Sequence, residues 1–202
     1  MLCLFRTIVL SCVVLACTGC DVQFQHSPTE KLALSPSSDL EGAWWIQSDD
    51  ATDQIYLIVR AIENQELSAL YVEAKSSGGF DTIELRASAF EVDGERYFSG
   101  RTIPQKARSG EATDQPIQFL VARYQERNDA LEISALSAKA AESAIKSGKL
   151  SGNCKESDFE KSCSVTSSAD DVIKFLAAAD NQKLFDKRFE LHRLRKKGSG
   201  QR

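Results

Sequence analysis

The chain has 202 residues, 42% of them hydrophobic and 27% charged, with a formal net charge of −4. That composition belongs to a folded globular protein, and the length suits one domain with its own core. The mildly acidic balance argues against a nucleic-acid partner, and after the first residues no apolar run is long enough to span a membrane.

The N-terminus reads Met1-Leu2-Cys3-Leu4-Phe5-Arg6, then an apolar run from Thr7 to Ala16, then Cys17-Thr18-Gly19-Cys20. One positive charge, a short greasy segment and small residues around a cysteine predict a secretory signal. The apolar part is too short for a permanent helix across a hydrocarbon core of about 30 Å. The segment resembles a bacterial lipoprotein signal, which implies that a cysteine carries a fatty-acyl, palmitate-type anchor. Val14-Leu15-Ala16-Cys17 places an aliphatic residue three positions before the cysteine and a small one directly before it. This predicts a signal over 1–16 with Cys17 lipidated. The alternative is a signal over 1–19 with Cys20 lipidated, which leaves Cys154 and Cys163 as the two thiols of the mature chain. An unlipidated secretory signal is the remaining reading. In the family, an aspartate just after the lipidated cysteine implies retention in the inner membrane. Cys20-Asp21 therefore implies the inner membrane, and Cys17-Thr18 the outer, with the domain facing the periplasm in both cases. Loss of the signal removes Arg6, taking the formal charge to about −5 on about 185 residues.

Residues 17–38 are expected to form the lipidated N-terminus and a flexible tether. His26-Ser27-Pro28-Thr29-Glu30 and Ser35-Pro36-Ser37-Ser38 are polar and broken by proline. A single β-rich domain is expected over 39–195, opening at Leu40-Glu41-Gly42-Ala43-Trp44-Trp45-Ile46. An acidic loop follows from Ser48 to Asp53. Its Asp49, Asp50 and Asp53 lack the alternate oxygens and glycine turn of a calcium loop, so it reads as a solvated loop. Ile55 to Val59 is a continuous apolar run, predicting a buried strand. Further strands are expected near 67–74, 95–101 and 117–124. Ile83, Leu85, Ala87 and Ala89 alternate with polar residues, as do Leu131, Ile133 and Ala135, so each set lines one face of a half-buried strand. Asp93-Gly94 between two apolar runs is a hairpin signal. The stretch from Pro104 to Pro116 reads as a long exposed loop.

After residue 136 the pattern turns helical. Ala138 to Ser147 is alanine-rich and stops at Gly148. A second helix is expected from about Ala169 to Ala179, capped by Ser168, with Asp170 and Asp171 in its first turn and Val172, Phe175, Leu176 and Ala179 on its buried face. Phe189, Leu191 and Arg193 alternate with Glu190, His192 and Leu194, predicting a closing strand before a disordered basic tail over 196–202. Arg193, Arg195, Lys196, Lys197 and Arg202 form a modest cationic cluster, read as a solubilising terminus, with headgroup contact as the other reading. In an exported chain Cys154 and Cys163 predict a structural disulfide at the neck of a hairpin, with strands over Leu150–Cys154 and Cys163–Ser167. Cys-x-x-Cys redox spacing is absent from this pair.

Gly42-Ala43-Trp44 at the start of a β-rich domain resembles the first-strand motif of lipocalins. The resemblance implies a barrel that carries a small apolar ligand, with Trp44 or Trp45 in a ligand cavity. The residues themselves read as one core aromatic and one rim aromatic facing opposite ways. Thr113-Asp114 stands in a polar loop ahead of Gln115-Pro116 and departs from the family's Thr-Asp-Tyr motif. His26 and His192 have neither a neighbouring nucleophile nor metal-ligand spacing, so no triad or zinc site assembles. No catalytic residue, metal or cofactor is expected. The expected fold is mainly β: an antiparallel curved sheet or partly closed barrel with two short C-terminal helices. As a whole the chain resembles small lipoproteins of Gram-negative envelopes. The expected function is a non-enzymatic, lipid-anchored module that contacts an envelope protein or the cell wall. The alternative is a lipocalin-like carrier of a small apolar ligand.

Overall fold

The structure is a computed structural model that describes residues 22–35, 38–46, 54–74, 78–103, 117–127, 130–157 and 161–194. Cys17 and Cys20, Asp49, Asp50 and Asp53, Thr113 and Asp114, and the tail over 196–202 lie outside the described residues.

Eight antiparallel strands close into a barrel. They are β2 (Gly42–Ile46), β3 (Gln54–Ala61), β4 (Glu66–Ala74), β5 (Phe80–Val92), β6 (Glu95–Thr102), β7 (Leu120–Arg127), β8 (Ala130–Ala135) and β11 (Lys187–Arg193). The first seven run as a meander, and β11 closes it by pairing with both β8 and β2. The wall is therefore complete, which goes beyond a partly closed sheet and leaves no unpaired barrel edge. β5 and β6 turn at Asp93-Gly94, both at positive φ as a two-residue hairpin requires.

Between β8 and β11 the chain makes α1 (Ala138–Lys146), the hairpin β9 (Gly152–Glu156) and β10 (Lys161–Val165), then α2 (Ala169–Ala177) and the short α3 (Ala179–Gln182). Ser137 and Ser168 cap the two longer helices by accepting backbone N–H bonds from Ala140 and Asp171. Cys154 and Cys163 face each other in the hairpin register and form a disulfide, with Cα atoms 4.0 Å apart. Glu142 of α1 is paired to Lys146 at 2.8 Å and to Lys161 of β10 at 2.9 Å. Hydrogen bonds from these two lysines hold its carboxyl down at about 2.

This segment packs on the outside of the barrel and creates a second core. Phe90, Val92, Tyr97 and Val121 point outward from β5, β6 and β7 into Leu136, Ala141, Val172, Phe175 and Phe185. Both faces of the wall are buried there, which is why consecutive residues such as Ala89 and Phe90 are both fully covered. Tyr97 stacks on Phe90 and meets Phe185 edge-on. Its hydroxyl is buried without a hydrogen-bond partner among the described residues. Burial, reinforced by Glu95, pushes that phenol up to about 12.

Within the stretch 17–38 expected to be a tether, the described residues 22–35 pack on the body. β1 (Val22–Phe24) pairs in parallel with β10, and Phe24 bridges Phe119 through two backbone hydrogen bonds. Val22 and Phe24 are buried in the second core. Ser27 and Glu30 form a capping box, and the Ser27 hydroxyl donates to Ser99 Oγ at 2.7 Å. What reads as a polar spacer is a capped turn flanked by two anchoring apolar side chains.

Ile55 to Val59 is a second correction. It is buried on one face only: Ile55 and Val59 point inward, while Ile58 is 46% exposed on the outer wall. The second helix also breaks at Ala178, earlier than its apolar spacing suggests, and restarts as α3.

Candidate functional site

Strand alternation fixes which side chains enter the barrel. Trp44 pairs with Leu57 on β3 and with Arg193 on β11, so all three face inward. Trp44 is fully buried, and its indole Nε1 donates to the Leu40 carbonyl at 3.0 Å. The Arg193 guanidinium lies 4.4 Å from the Trp44 ring centroid and donates to the carbonyls of Glu41 and Asp39, each at 3.1 Å. A Cβ on Gly42 would come within 3.2 Å of Arg193 Nη1, and Gly42 has φ of +141°. Glycine in the Gly-x-Trp motif thus lets the arginine lie across the tryptophan. The turn Ser38–Leu40 completes this end, with Asp39 paired to Arg96, whose guanidinium sits 5.1 Å from the Tyr124 ring centroid. The barrel has a plugged floor.

Above the floor the lining stays apolar. Leu40, Trp44, Val59, Leu67, Ala69, Ala89, Tyr124, Leu131 and Leu191 form a buried cluster. Leu57, Leu85, Ala87, Phe98, Ile133 and Phe189 also point inward from within their strands, yet each keeps part of its surface. Eight strands enclose an interior that side chains can just fill or that can hold one small ligand.

Polar groups also enter the lining from β4 and β11. Glu73 pairs with Ile55 across the β3–β4 ladder, two residues along from Tyr71, which pairs with Leu57. Glu73 is only 3% exposed and accepts a hydrogen bond from the Tyr71 hydroxyl at 3.3 Å. Lys187 enters from β11 with Nζ 5.9 Å from the Phe189 ring centroid.

Trp45 points the other way. Its ring packs at a tilt against His192 with ring centroids 4.9 Å apart, and it lies opposite Tyr56 on the outer wall. Ile58, Leu70 (37% exposed) and Val72 continue this outer apolar strip across β3 and β4. Phe119 forms no such patch, because it packs against the second core beside Phe24. A separate open depression of about 450 Å³ between α3 and the wall is lined by Arg123, Phe185, Asp186 and Arg188 among others.

His26 lies 4.0 Å from Glu30 at the N-terminal turn, and His192 lies 3.6 Å from Glu190. The two are on different elements and do not form a site. Among the described residues no group of three His, Cys, Asp or Glu side chains is placed to hold a metal, and no helix is long and apolar enough to cross a membrane. Arg193, read from sequence both as a closing-strand residue and as part of the basic cluster, lies on β11 at the barrel floor. Sequence reading also missed Glu73. Its parity with Leu67, Ala69 and Tyr71 is the available signal, but Leu70 and Val72 make the opposite parity equally apolar.

Comparison with family models, curated proteins and solved structures returns no match for the chain.

Proposed function

We propose that this chain is a non-enzymatic binding module of the cell envelope, anchored by an N-terminal lipid, whose barrel lumen holds a small apolar ligand. The observation that carries the reading is a closed eight-stranded wall whose inward face is apolar and includes side chains that are only partly buried. A solid core would have covered them. The plugged floor of Trp44 and Arg193 supports it, as one end is sealed by stacked and hydrogen-bonded groups. The Gly42-Ala43-Trp44 motif and the barrel both fit a lipocalin-like carrier. Signal residues 1–16, or 1–19, and lipidation of Cys17, or of Cys20, supply the anchor in this reading. Val22 follows Cys20 by two positions and Cys17 by five, so the body stands close to the bilayer surface. Mass spectrometry of the mature N-terminal peptide identifies the acylated cysteine, and with it the outer or inner membrane.

The binding reading is tested with a neutral apolar fluorophore, N-phenyl-1-naphthylamine. Saturable one-to-one binding is expected. Ala87→Phe, which fills the lumen, should weaken it by about tenfold or more. Binding that ignores A87F but falls in Ile58→Asp would move the site to the outer wall. That result favours the second reading, an envelope protein partner seated on Trp45, Tyr56, Ile58, Leu70 and Val72, for which the exposed apolar strip is the supporting observation.

A further inference from the structure

We propose that the open depression between α3 and the barrel wall is an oxyanion site for a phosphomonoester group, held by Arg123 and Arg188 from the wall and by Lys183 from the end of α3. The site lies outside the barrel and does not depend on the lumen. Strand register builds its floor. Arg123 on β7 pairs with Ser134 on β8, and Ser134 pairs with Arg188 on β11, so the three stand in one row on the outer wall. Neighbouring strands are about 4.8 Å apart, which sets the two arginines about 10 Å apart with a small side chain between them. Lys183 caps the C-terminal end of α3 and lines the same depression, whose volume is about 450 Å³. The three cationic side chains all reach solvent: Arg123 is 17% exposed, Arg188 69% and Lys183 83%.

Their N–H donors are not used up by the protein. Arg123 lies 3.7 Å from Glu95, Arg188 3.8 Å from Glu132 and Lys183 3.8 Å from Asp180. These separations are longer than hydrogen bonds, and among the described residues none of the three cations donates one. The three carboxylates do not line the depression. Glu132 is shared with Arg127 at 3.7 Å, and Glu95 also accepts from Gln125 Nε2 at 3.4 Å. Lys183 and Asp180 are so exposed that water screens their attraction. Asp186, the carboxylate of the lining itself, is engaged by Ser137, accepting from its backbone N–H at 3.3 Å and its hydroxyl at 3.2 Å. Three cations against one carboxylate leave the lining two positive charges in excess. A phosphomonoester carries about −1.5 to −2 at neutral pH, which matches that excess. Guanidinium forks also suit phosphate oxygens, through charge-assisted hydrogen bonds.

The test uses the full chain with Cys17→Ser and Cys20→Ser, so that no acyl anchor is attached. Glycerol 3-phosphate and dihexanoyl phosphatidic acid share the phosphomonoester and separate a soluble ligand from a lipid headgroup. Glycerol is the neutral control. Isothermal titration calorimetry at pH 7 and low salt should show saturable binding of a phosphate compound and none of glycerol. Arg188→Gln should weaken that binding by about tenfold or more. Arg127→Gln removes the same charge from the same Glu132 outside the depression, and should change it by less than about twofold. With the R188Q loss in place, a tighter phosphatidic acid assigns a lipid headgroup, and a glycerol 3-phosphate at least as tight assigns a soluble ligand. Either result supports the site. No saturable binding of either phosphate overturns the inference, as does an equal loss in R188Q and R127Q, which is diffuse attraction of charge. Should R188Q fail to fold, Lys183→Gln at the most exposed of the three cations decides: about threefold weaker binding supports the site, and unchanged binding overturns it.

Discussion

Arg193 and Trp44 show how much one residue pair settles in this fold. The guanidinium covers the indole at 4.4 Å and satisfies two carbonyls of the turn before β2, so it joins the first and last barrel strands at the floor. Arg193→Ala leaves those carbonyls without a partner and uncovers the ring. It should cost about 2–3 kcal/mol in urea unfolding. Arg193→Lys should recover little, because an ammonium cannot fork to two carbonyls while stacking flat on a ring. Full recovery by lysine would reduce the contact to simple charge. Sequence showed that Trp44 and Trp45 are one core and one rim aromatic facing opposite ways, and the structure makes Trp44 the core residue. Arg193 was legible as a closing-strand residue in step with Phe189 and Leu191, but its contact with Trp44 was not, because that partner lies about 150 positions earlier, a distance that local pattern does not bridge.

The elements divide along the same line. Strands whose one face is polar declared themselves: Ile83 to Ala89 and Leu131 to Ala135 alternate cleanly, and the Asp93-Gly94 turn fixed the register between β5 and β6. Segments buried by distant partners did not. Residues 22–35 are rich in turn formers, and only docking of Val22 and Phe24 on β10 and Phe119 makes them part of the body. Phe24→Ala should therefore cost about 3–4 kcal/mol of stability, measured by chemical unfolding. A free tether would show no change. The contact between α1 and the disulfide hairpin makes a second element-scale prediction. The Glu142 carboxyl is held at about 2 in the fold, below its ordinary value of 4.5, by its two lysines. A depressed carboxyl contributes stability that is present above its unfolded value and lost as pH falls through the folded one. Stability should fall between pH 4.5 and about 2, and Glu142→Gln should flatten that part of the profile. An unaltered slope in E142Q would assign the acid sensitivity elsewhere.

At the scale of the molecule, one barrel wall does two jobs. On β5, β6 and β7 its outer face is buried by the helices and the disulfide hairpin, which rigidify that side. On β2, β3 and β4 the outer face is bare and partly apolar, while the inner face lines the lumen. Barrel closure was only half visible from sequence, because it depends on β11 meeting β2 across the whole chain, a pairing of high sequence separation. The lumen and the outer strip compete as the binding surface, and their methyl groups tell them apart. The decisive measurement is methyl NMR of the protein titrated with 1-octanol. Lumen binding predicts shifts at Leu57, Leu85 and Ile133, with Ile58 and Leu70 unmoved. Shifts confined to Ile58 and Leu70 would contradict the account.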